Sequence, residues 1–134
     1  MRGDREFDVT VVLVVDDEEI IRIMAESMLH DAGHQTLSAA NAKDAITLLK
    51  SDRTIDVLFT DLGLDDGLDG GVHLAVAARK LRPGLSVLYT TGQNVTGGMQ
   101  ALLVEPHEFM AKPYTADQLN MALGHSSRQG IKFN

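Results

Sequence analysis

Four side chains that could do chemistry follow apolar segments of the chain directly. They are Asp16 and Asp17 after VTVVLVV, Asp61 after DVLFT, and Lys112 after HEFMA. A carboxylate at the rim of a hydrophobic core costs free energy unless a positive group meets it. Three carboxylates brought together would repel by about 4 kcal/mol per pair at 4 Å and an effective dielectric of 20. If these segments end side by side, the sequence therefore predicts a cation among the acids.

The residue types also indicate which cation and which chemistry. A hard divalent ion with oxygen ligands, such as Mg²⁺, fits carboxylates better than zinc does. Lys112 would place a second positive charge on the opposite side of Asp61. A carboxylate between a metal ion and an ammonium, with a hydroxyl nearby, resembles a site at which an anionic group is added to that carboxylate. Phosphoryl transfer needs this combination of neutralised charge, a positioned acceptor and hydrogen-bond donors.

Short apolar runs alternate with helical periods along the chain, which predicts a parallel sheet covered on both faces. The predicted strands lie at 9–15, 35–40, 56–60, 85–91 and 107–111, and the predicted helical segments at 16–33, 42–50, 72–82, 97–104 and 115–124. Gly33 is a plausible helix stop, Asn41 a plausible N-cap, and Thr115 to Gln118 has the form of a capping box. Two glycines at the start of the fourth segment predict a short or irregular helix there. In such folds the working site lies beyond the carboxyl ends of the strands.

Length and composition predict one domain and exclude several classes of protein. The chain has 134 residues, 44% of them hydrophobic and 23% charged, which suits a single core. We expect one domain at 9–124, with tails at 1–8 and 125–134. The net charge of −7 argues against direct binding of nucleic acid. There is no cysteine, no apolar run long enough for a membrane span and no signal peptide, so a soluble cytoplasmic domain is expected.

Four segments, in order and suitably spaced, resemble the receiver domain of two-component response regulators. They are VLVVDDEEIIR, DVLFTDLGL, VLYTTG and FMAKPYTADQL. The resemblance covers nearly the whole chain. It implies a flavodoxin-like, doubly wound α/β fold with a five-stranded parallel sheet in the order 2-1-3-4-5 and five helices. It also implies a cis peptide bond between Lys112 and Pro113.

The resemblance assigns roles to the residues at the strand ends. Asp61 would be the phosphoacceptor, which takes a phosphoryl group from a phosphohistidine. Asp17 would bind Mg²⁺ (or Mn²⁺) directly and Asp16 mainly through water. Asp61 and the backbone carbonyl of Gly63 would complete the protein ligands of the metal.

Three further residues would connect the phosphoryl group with the surface. Lys112 would pair with the phosphoryl group, and Thr91 would donate its hydroxyl to it. Phe109 matches the family's switch aromatic, whose burial changes as Thr91 moves. The movement would bias the surface of the fourth and fifth helical segments between two packings.

The implied function is that of a stand-alone regulator or phosphorelay intermediate. Its partners would be a sensor histidine kinase or a histidine phosphotransfer protein, and a downstream protein target. A homodimer could form through the face of the fourth and fifth helical segments. We expect no enzymatic activity beyond the chain's own phosphorylation and dephosphorylation, no direct DNA binding and no membrane association.

The sequence departs from the family at the loop after the phosphoacceptor. Asp65 stands where a proline is usual, and the stretch 61–70 is one residue longer than in the commonest receivers, as in many receivers of hybrid sensor kinases. Gly63 and Gly92 leave little side chain over the site. Around 96–103 we expect local disorder.

Other interpretations of the same residues remain open. Asp16 and Asp17 alone could complement a helix dipole, and Asp61 alone could be a loop acid. A haloacid-dehalogenase-type phosphatase would need a second Asp where Gly63 stands. Calcium-binding loop spacing fails in the segment after Asp61. A pseudo-receiver that docks partners without being phosphorylated is the main alternative.

Overall fold

The computed structural model describes residues 10–64, 70–92 and 107–131, with backbone only at 107–108 and 125–131. Five parallel strands form one sheet in the order β2-β1-β3-β4-β5. The strands are β1 (Val11–Val15), β2 (Gln35–Ala39), β3 (Val57–Asp61), β4 (Ser86–Thr91) and β5 (His107–Ala111). The predicted α/β fold and strand order are therefore confirmed.

Four helices occur in the described ranges. They are α1 (Glu19–Asp31), α2 (Ala42–Leu49), α3 (Gly70–Leu81) and α4 (Ala116–Ile131). The helical segment predicted at 97–104, the expected disorder near it, Asp65 and the N-terminal tail at 1–8 lie outside the described residues. None of the helices in the described ranges has the length and apolarity that crossing a bilayer requires.

The last helix was predicted to end at about Gly124, and that prediction is wrong. The helix continues to Ile131, so most of the predicted tail at 125–134 is helical. A glycine inside a helix costs only about 1 kcal/mol relative to alanine. No proline follows Gly124, so nothing in the local sequence forces the helix to stop there.

Alternation along the strands divides the core into two layers. In β1, Val12 and Val14 belong to a cluster that includes Leu29 of α1 and Leu119 of α4. The intervening Leu13 and Val15 belong to the cluster on the other face, which includes Ala45 and Leu49 of α2 and Leu74 and Ala78 of α3. Because both faces are covered, β1, β3 and β4 are buried along almost their whole length. The polar residues that this pattern cannot bury collect at the strand ends.

The predicted caps at Asn41 and Thr115 and the predicted helix stop at Gly33 are confirmed. The Asp44 backbone amide donates to the Asn41 side chain at 2.8 Å. The Gln118 amide donates to the Thr115 hydroxyl at 3.1 Å, and the Thr115 amide donates to the Gln118 side chain at 2.9 Å, which completes a reciprocal capping box. Gly33 follows α1 with a φ of 92°, a conformation that glycine adopts without a steric penalty.

Candidate functional site

Three carboxylates converge at the carboxyl end of the sheet. Asp16, Asp17 and Asp61 each offer an oxygen, and these oxygens lie within 4.8 Å of one another. Asp16 follows β1 directly and Asp61 is the last residue of β3, the neighbouring strand. Asp16 and Asp61 are buried, whereas Asp17 is exposed. The convergence predicted from the strand ends is thus present, with one acid open to solvent.

Lys112 extends into the same group of acids. Its ammonium lies 3.1 Å from Asp16 Oδ2, 3.3 Å from Glu18 Oε1 and 3.6 Å from Asp61 Oδ2. Its side chain is only 13% exposed, so these contacts are partly shielded from water. Ion pairs in such a position are stronger than pairs fully exposed to solvent. The peptide bond between Lys112 and Pro113 is cis, as expected.

Backbone hydrogen bonds fix the loops that carry these side chains. The Lys112 amide donates to the Thr91 carbonyl at 2.8 Å, which ties the end of β5 to the end of β4. The Leu62 amide donates to the Thr90 carbonyl at 2.8 Å. The Gly63 amide donates to Asp61 Oδ1 at 3.3 Å. Gly63, which is exposed, therefore lies beside Asp61, and Thr91, which is buried, lies beside Lys112.

Phe109 lies further from the acids, within β5. It pairs in register with Tyr89 of β4. The residue is half-buried and packs against the cluster on the α2 and α3 face of the sheet. The Phe109 side chain is thus neither fully buried nor fully exposed.

Two glycines allow α3 to begin close to the backbone at the end of β3 and just after it. A Cβ on Gly71 would lie 2.3 Å from the Asp61 carbonyl oxygen, and a Cβ on Gly70 would lie 1.9 Å from that of Leu64. Real side chains do not approach backbone this closely. The Gly71 amide also donates to the Leu62 carbonyl at 2.9 Å. The close approach thus holds the backbone of Asp61 in place, a role that the sequence did not indicate.

The sequence also did not indicate the contacts of Glu18, Arg22 and Tyr114. Arg22 Nη1 donates to the Asp16 carbonyl at 2.8 Å. The Glu18 amide donates to Asp16 Oδ1 at 2.9 Å, while its side chain contacts Lys112. The sequence predicts Glu18 only as part of the helical segment at 16–33. The available sequence signal for this contact is that Glu18 directly follows Asp16 and Asp17 and so makes a third consecutive acid.

Tyr114 adds an aromatic wall behind the site. Its ring packs edge-on against Phe59, with ring centroids 5.9 Å apart and planes at 64°. Burial, together with the nearby Asp16 carboxylate, raises the pKa of Tyr114 to about 12. The phenol therefore stays neutral at neutral and mildly alkaline pH.

Burial and charge act in opposite directions on the central pair. Burial raises the pKa of Asp61 above 3.8, with further contributions from Asp16 and Asp17, although the Lys112 ammonium and the Gly63 amide oppose it. Burial alone would lower the pKa of Lys112, but the Asp16 and Asp61 carboxylates and the hydrogen bond to Glu18 raise it. The ammonium is thus held in its charged form beside an acid whose ionised form is disfavoured.

The donor set fits a hard divalent cation. All three clustered donors are carboxylate oxygens, the ligand type that Mg²⁺ prefers. Three carboxylates gather beside the single positive charge of Lys112, so negative charge is in excess in this group. A second cation would relieve that excess.

Comparison with known proteins agrees with this geometry. The model of the family described as response regulator receiver domain matches residues 12–124. A putative NtrX-like response regulator of Rickettsia felis is 27% identical over 113 residues, which are 84% of this chain and 24% of that protein. The chain therefore spans about a quarter of the length of this relative.

Solved structures give the same result. The response regulator receiver protein from Sinorhizobium medicae has a TM-score of 0.80 at 29% identity, covering 91% of this chain and 97% of that one. A receiver domain protein from Methanospirillum hungatei has a TM-score of 0.81 at 21% identity, covering 94% and 99% of the two chains, and supports the fold alone. The acidic cluster, the lysine beside it and the family match over residues 12–124 lead to one conclusion: the chain belongs to the receiver domain family of two-component response regulators.

Proposed function

We propose that Asp61 accepts a phosphoryl group from the phosphohistidine of a histidine kinase or of a histidine phosphotransfer protein. The observation that carries the proposal is the position of Asp61, clustered with Asp16 and Asp17 and 3.6 Å from the Lys112 ammonium. In the reaction, an Asp61 carboxylate oxygen forms a bond to phosphorus. The bond from phosphorus to the histidine nitrogen breaks, and its electron pair stays on that nitrogen.

Each residue of the site has a part in this proposal. Lys112 compensates the negative charge of the transferred group, and Thr91, at the end of the neighbouring strand, donates its hydroxyl to it. Asp16, Asp17, Asp61 and the Gly63 carbonyl hold Mg²⁺ or Mn²⁺. The bound metal ion supplies charge neutralisation at the acceptor.

The proposal extends to the signal. Phosphorylated Asp61 draws Thr91 toward it, and Phe109 changes its burial in response. The half-buried position of Phe109 on β5, which β4 separates from Asp61 on β3, supports this role. The changed surface at the β4–β5 side of the sheet then binds a downstream protein, as a bias between two packings. Beyond its own phosphorylation and dephosphorylation, the domain catalyses nothing in this proposal.

The test is incubation with acetyl phosphate and Mg²⁺, followed by intact mass measurement. We expect wild type to gain the mass of one phosphoryl group, and Asp61→Asn to gain none. Absence of any gain in wild type would favour a docking module that is not phosphorylated. A phosphotransfer screen against candidate histidine kinases then identifies the donor.

A further inference from the structure

Glu18 is a third carboxylate on the one ammonium that the acceptor site uses. Among the described residues, the ion pairs of Lys112 are those with Asp16, Glu18 and Asp61, and the Glu18 distance of 3.3 Å is shorter than the Asp61 distance of 3.6 Å. An ammonium has three donors. In this arrangement Glu18 accepts a hydrogen bond from the ammonium, whereas the contact with Asp61 is the longest and exceeds hydrogen-bond distance.

The position of Glu18 separates it from the carboxylates that would hold a metal. Its backbone is extended, with φ −90° and ψ 109°, and it precedes α1 without capping it through its side chain. The clustered donors are Asp16, Asp17 and Asp61, and Glu18 is not among them. The Glu18 carboxylate therefore contacts Lys112 and is not one of the clustered donors.

Glu18 also lies on the solvent side of the ammonium. Its side chain is 63% exposed, against 13% for that of Lys112. Its own amide donates to Asp16 Oδ1 at 2.9 Å, which fixes the backbone from which the carboxylate extends. A phosphoryl donor that approaches Asp61 from solvent meets this negative charge and must also compete with it for Lys112.

We infer that Glu18 is a positioning residue that restrains phosphorylation by competing with the acceptor for the Lys112 ammonium. This inference rests on the proposed function of Asp61. When a phosphoryl group is added to Asp61, Lys112 exchanges its contact with Glu18 for one with a phosphoryl oxygen. Glu18 thereby stabilises the unphosphorylated form relative to the phosphorylated one.

The variant that tests the inference is Glu18→Gln, with Glu19→Gln as the matched control. Each variant removes one negative charge at the start of α1, but of these two glutamates only Glu18 forms an ion pair with Lys112. With acetyl phosphate as the probe at saturating Mg²⁺, an Asp61 oxygen attacks phosphorus and acetate leaves with the electron pair. We expect Glu18→Gln to load about two- to fivefold faster than wild type, the range for loss of one partly exposed ion pair. Glu19→Gln should load at nearly the wild-type rate.

A second measurement needs no phosphorylation. The Lys112 side-chain ammonium signal, observed by NMR in the metal-free protein, should shift in Glu18→Gln and stay in place in Glu19→Gln. Equal loading rates for the two variants, slower loading of Glu18→Gln, or an unmoved Lys112 signal would overturn the inference. If wild type does not load at all, the proposed function fails, while the NMR comparison still decides whether Glu18 holds Lys112.

Discussion

The Lys112 ammonium lies closer to Asp16 than to Asp61, at 3.1 Å from Asp16 Oδ2 against 3.6 Å from Asp61 Oδ2. Asp16 is itself held from two sides, by the Glu18 amide on its carboxylate and by Arg22 on its carbonyl. The ammonium thus rests mainly on a fixed neighbour of the acceptor. It remains near enough to Asp61 to follow a change of charge there.

This arrangement predicts that Lys112 and a divalent cation compete for the same carboxylates. In Lys112→Met the aliphatic stem is kept and the positive charge is lost. We expect the Mg²⁺ dissociation constant to fall about fivefold, because roughly 1 kcal/mol of repulsion between the two cations disappears. Isothermal titration calorimetry measures the Mg²⁺ dissociation constant of both proteins. Lys80→Met, an exposed change on α3, is the control, and unchanged or weaker Mg²⁺ binding by Lys112→Met would contradict the competition.

Asp61 should lower the stability of the metal-free fold at neutral pH. Its folded-state pKa is raised above 3.8, chiefly by burial, so folding favours the protonated carboxyl. The stability that it contributes is present below pH 4 and is lost as the pH rises through the folded-state pKa. We expect Asp61→Asn to raise the free energy of unfolding at pH 7 by about 0.5–2 kcal/mol.

Urea denaturation without divalent ions tests this expectation. Asp52→Asn removes an equal charge from an exposed position and should change stability little. The advantage of Asp61→Asn should shrink toward pH 4, and also on addition of Mg²⁺ to wild type. An Asp61→Asn protein no more stable than wild type at pH 7 would show that the buried charge is already compensated.

Tyr114 makes the fold sensitive to alkali. Its folded-state pKa is raised to about 12, by burial first and by Asp16 second, whereas an unfolded tyrosine titrates near 10. The stability that Tyr114 contributes is therefore complete below about pH 10 and is lost between about pH 10 and 12. Relative to Tyr114→Phe, wild type should lose up to about 1.4 kcal/mol per pH unit in that window.

Chemical denaturation of both proteins from pH 8 to pH 11.5 measures the difference. The difference in unfolding free energy should be flat below pH 10 and should then turn against wild type. Because Lys112 is common to both proteins, its own alkaline titration cancels to first order. Parallel curves over the whole range would mean that Tyr114 ionises normally in the folded state.

Gly71 and Gly124 should respond to alanine in opposite directions. A Cβ at 71 would lie 2.3 Å from the Asp61 carbonyl oxygen, whereas one at 124 meets nothing within 4 Å. We expect Gly71→Ala to lower the free energy of unfolding by about 1–3 kcal/mol and to slow phosphoryl loading. Gly124→Ala, inside α4, should raise it by about 1 kcal/mol. Thermal unfolding compares the two variants. A Gly71→Ala protein with wild-type stability and wild-type loading would contradict the predicted clash with the Asp61 carbonyl.

The fold could be predicted because its signals are local. The runs that became β1, β3 and β4 are apolar on both faces, which indicates buried parallel strands, and the caps at Asn41 and Thr115 depend on residues three positions apart. Convergence of Asp16, Asp61 and Lys112 follows from parallel topology, since each stands at the carboxyl end of a strand. The acidic cluster could therefore be predicted from the sequence.

The remaining features depend on distances between elements that are remote in sequence. The contact between Glu18 and Lys112 joins positions 94 residues apart and requires Glu18 to stay outside α1. The approach of Gly71 to Asp61 depends on how closely α3 begins against β3. The extension of α4 past Gly124 was missed because a glycine near the end of a periodic pattern indicates a stop as readily as a tolerated interior position.

The most direct measurement is the location of the phosphoryl group after reaction with acetyl phosphate and Mg²⁺. Borohydride reduction converts an aspartyl phosphate to homoserine, and peptide mass spectrometry then identifies the residue. We expect homoserine at position 61 alone, with no conversion in Asp61→Asn or without divalent ions. Conversion at Asp16 or Asp17, or none in metal-loaded wild type, would contradict the central claim that Asp61 is the acceptor.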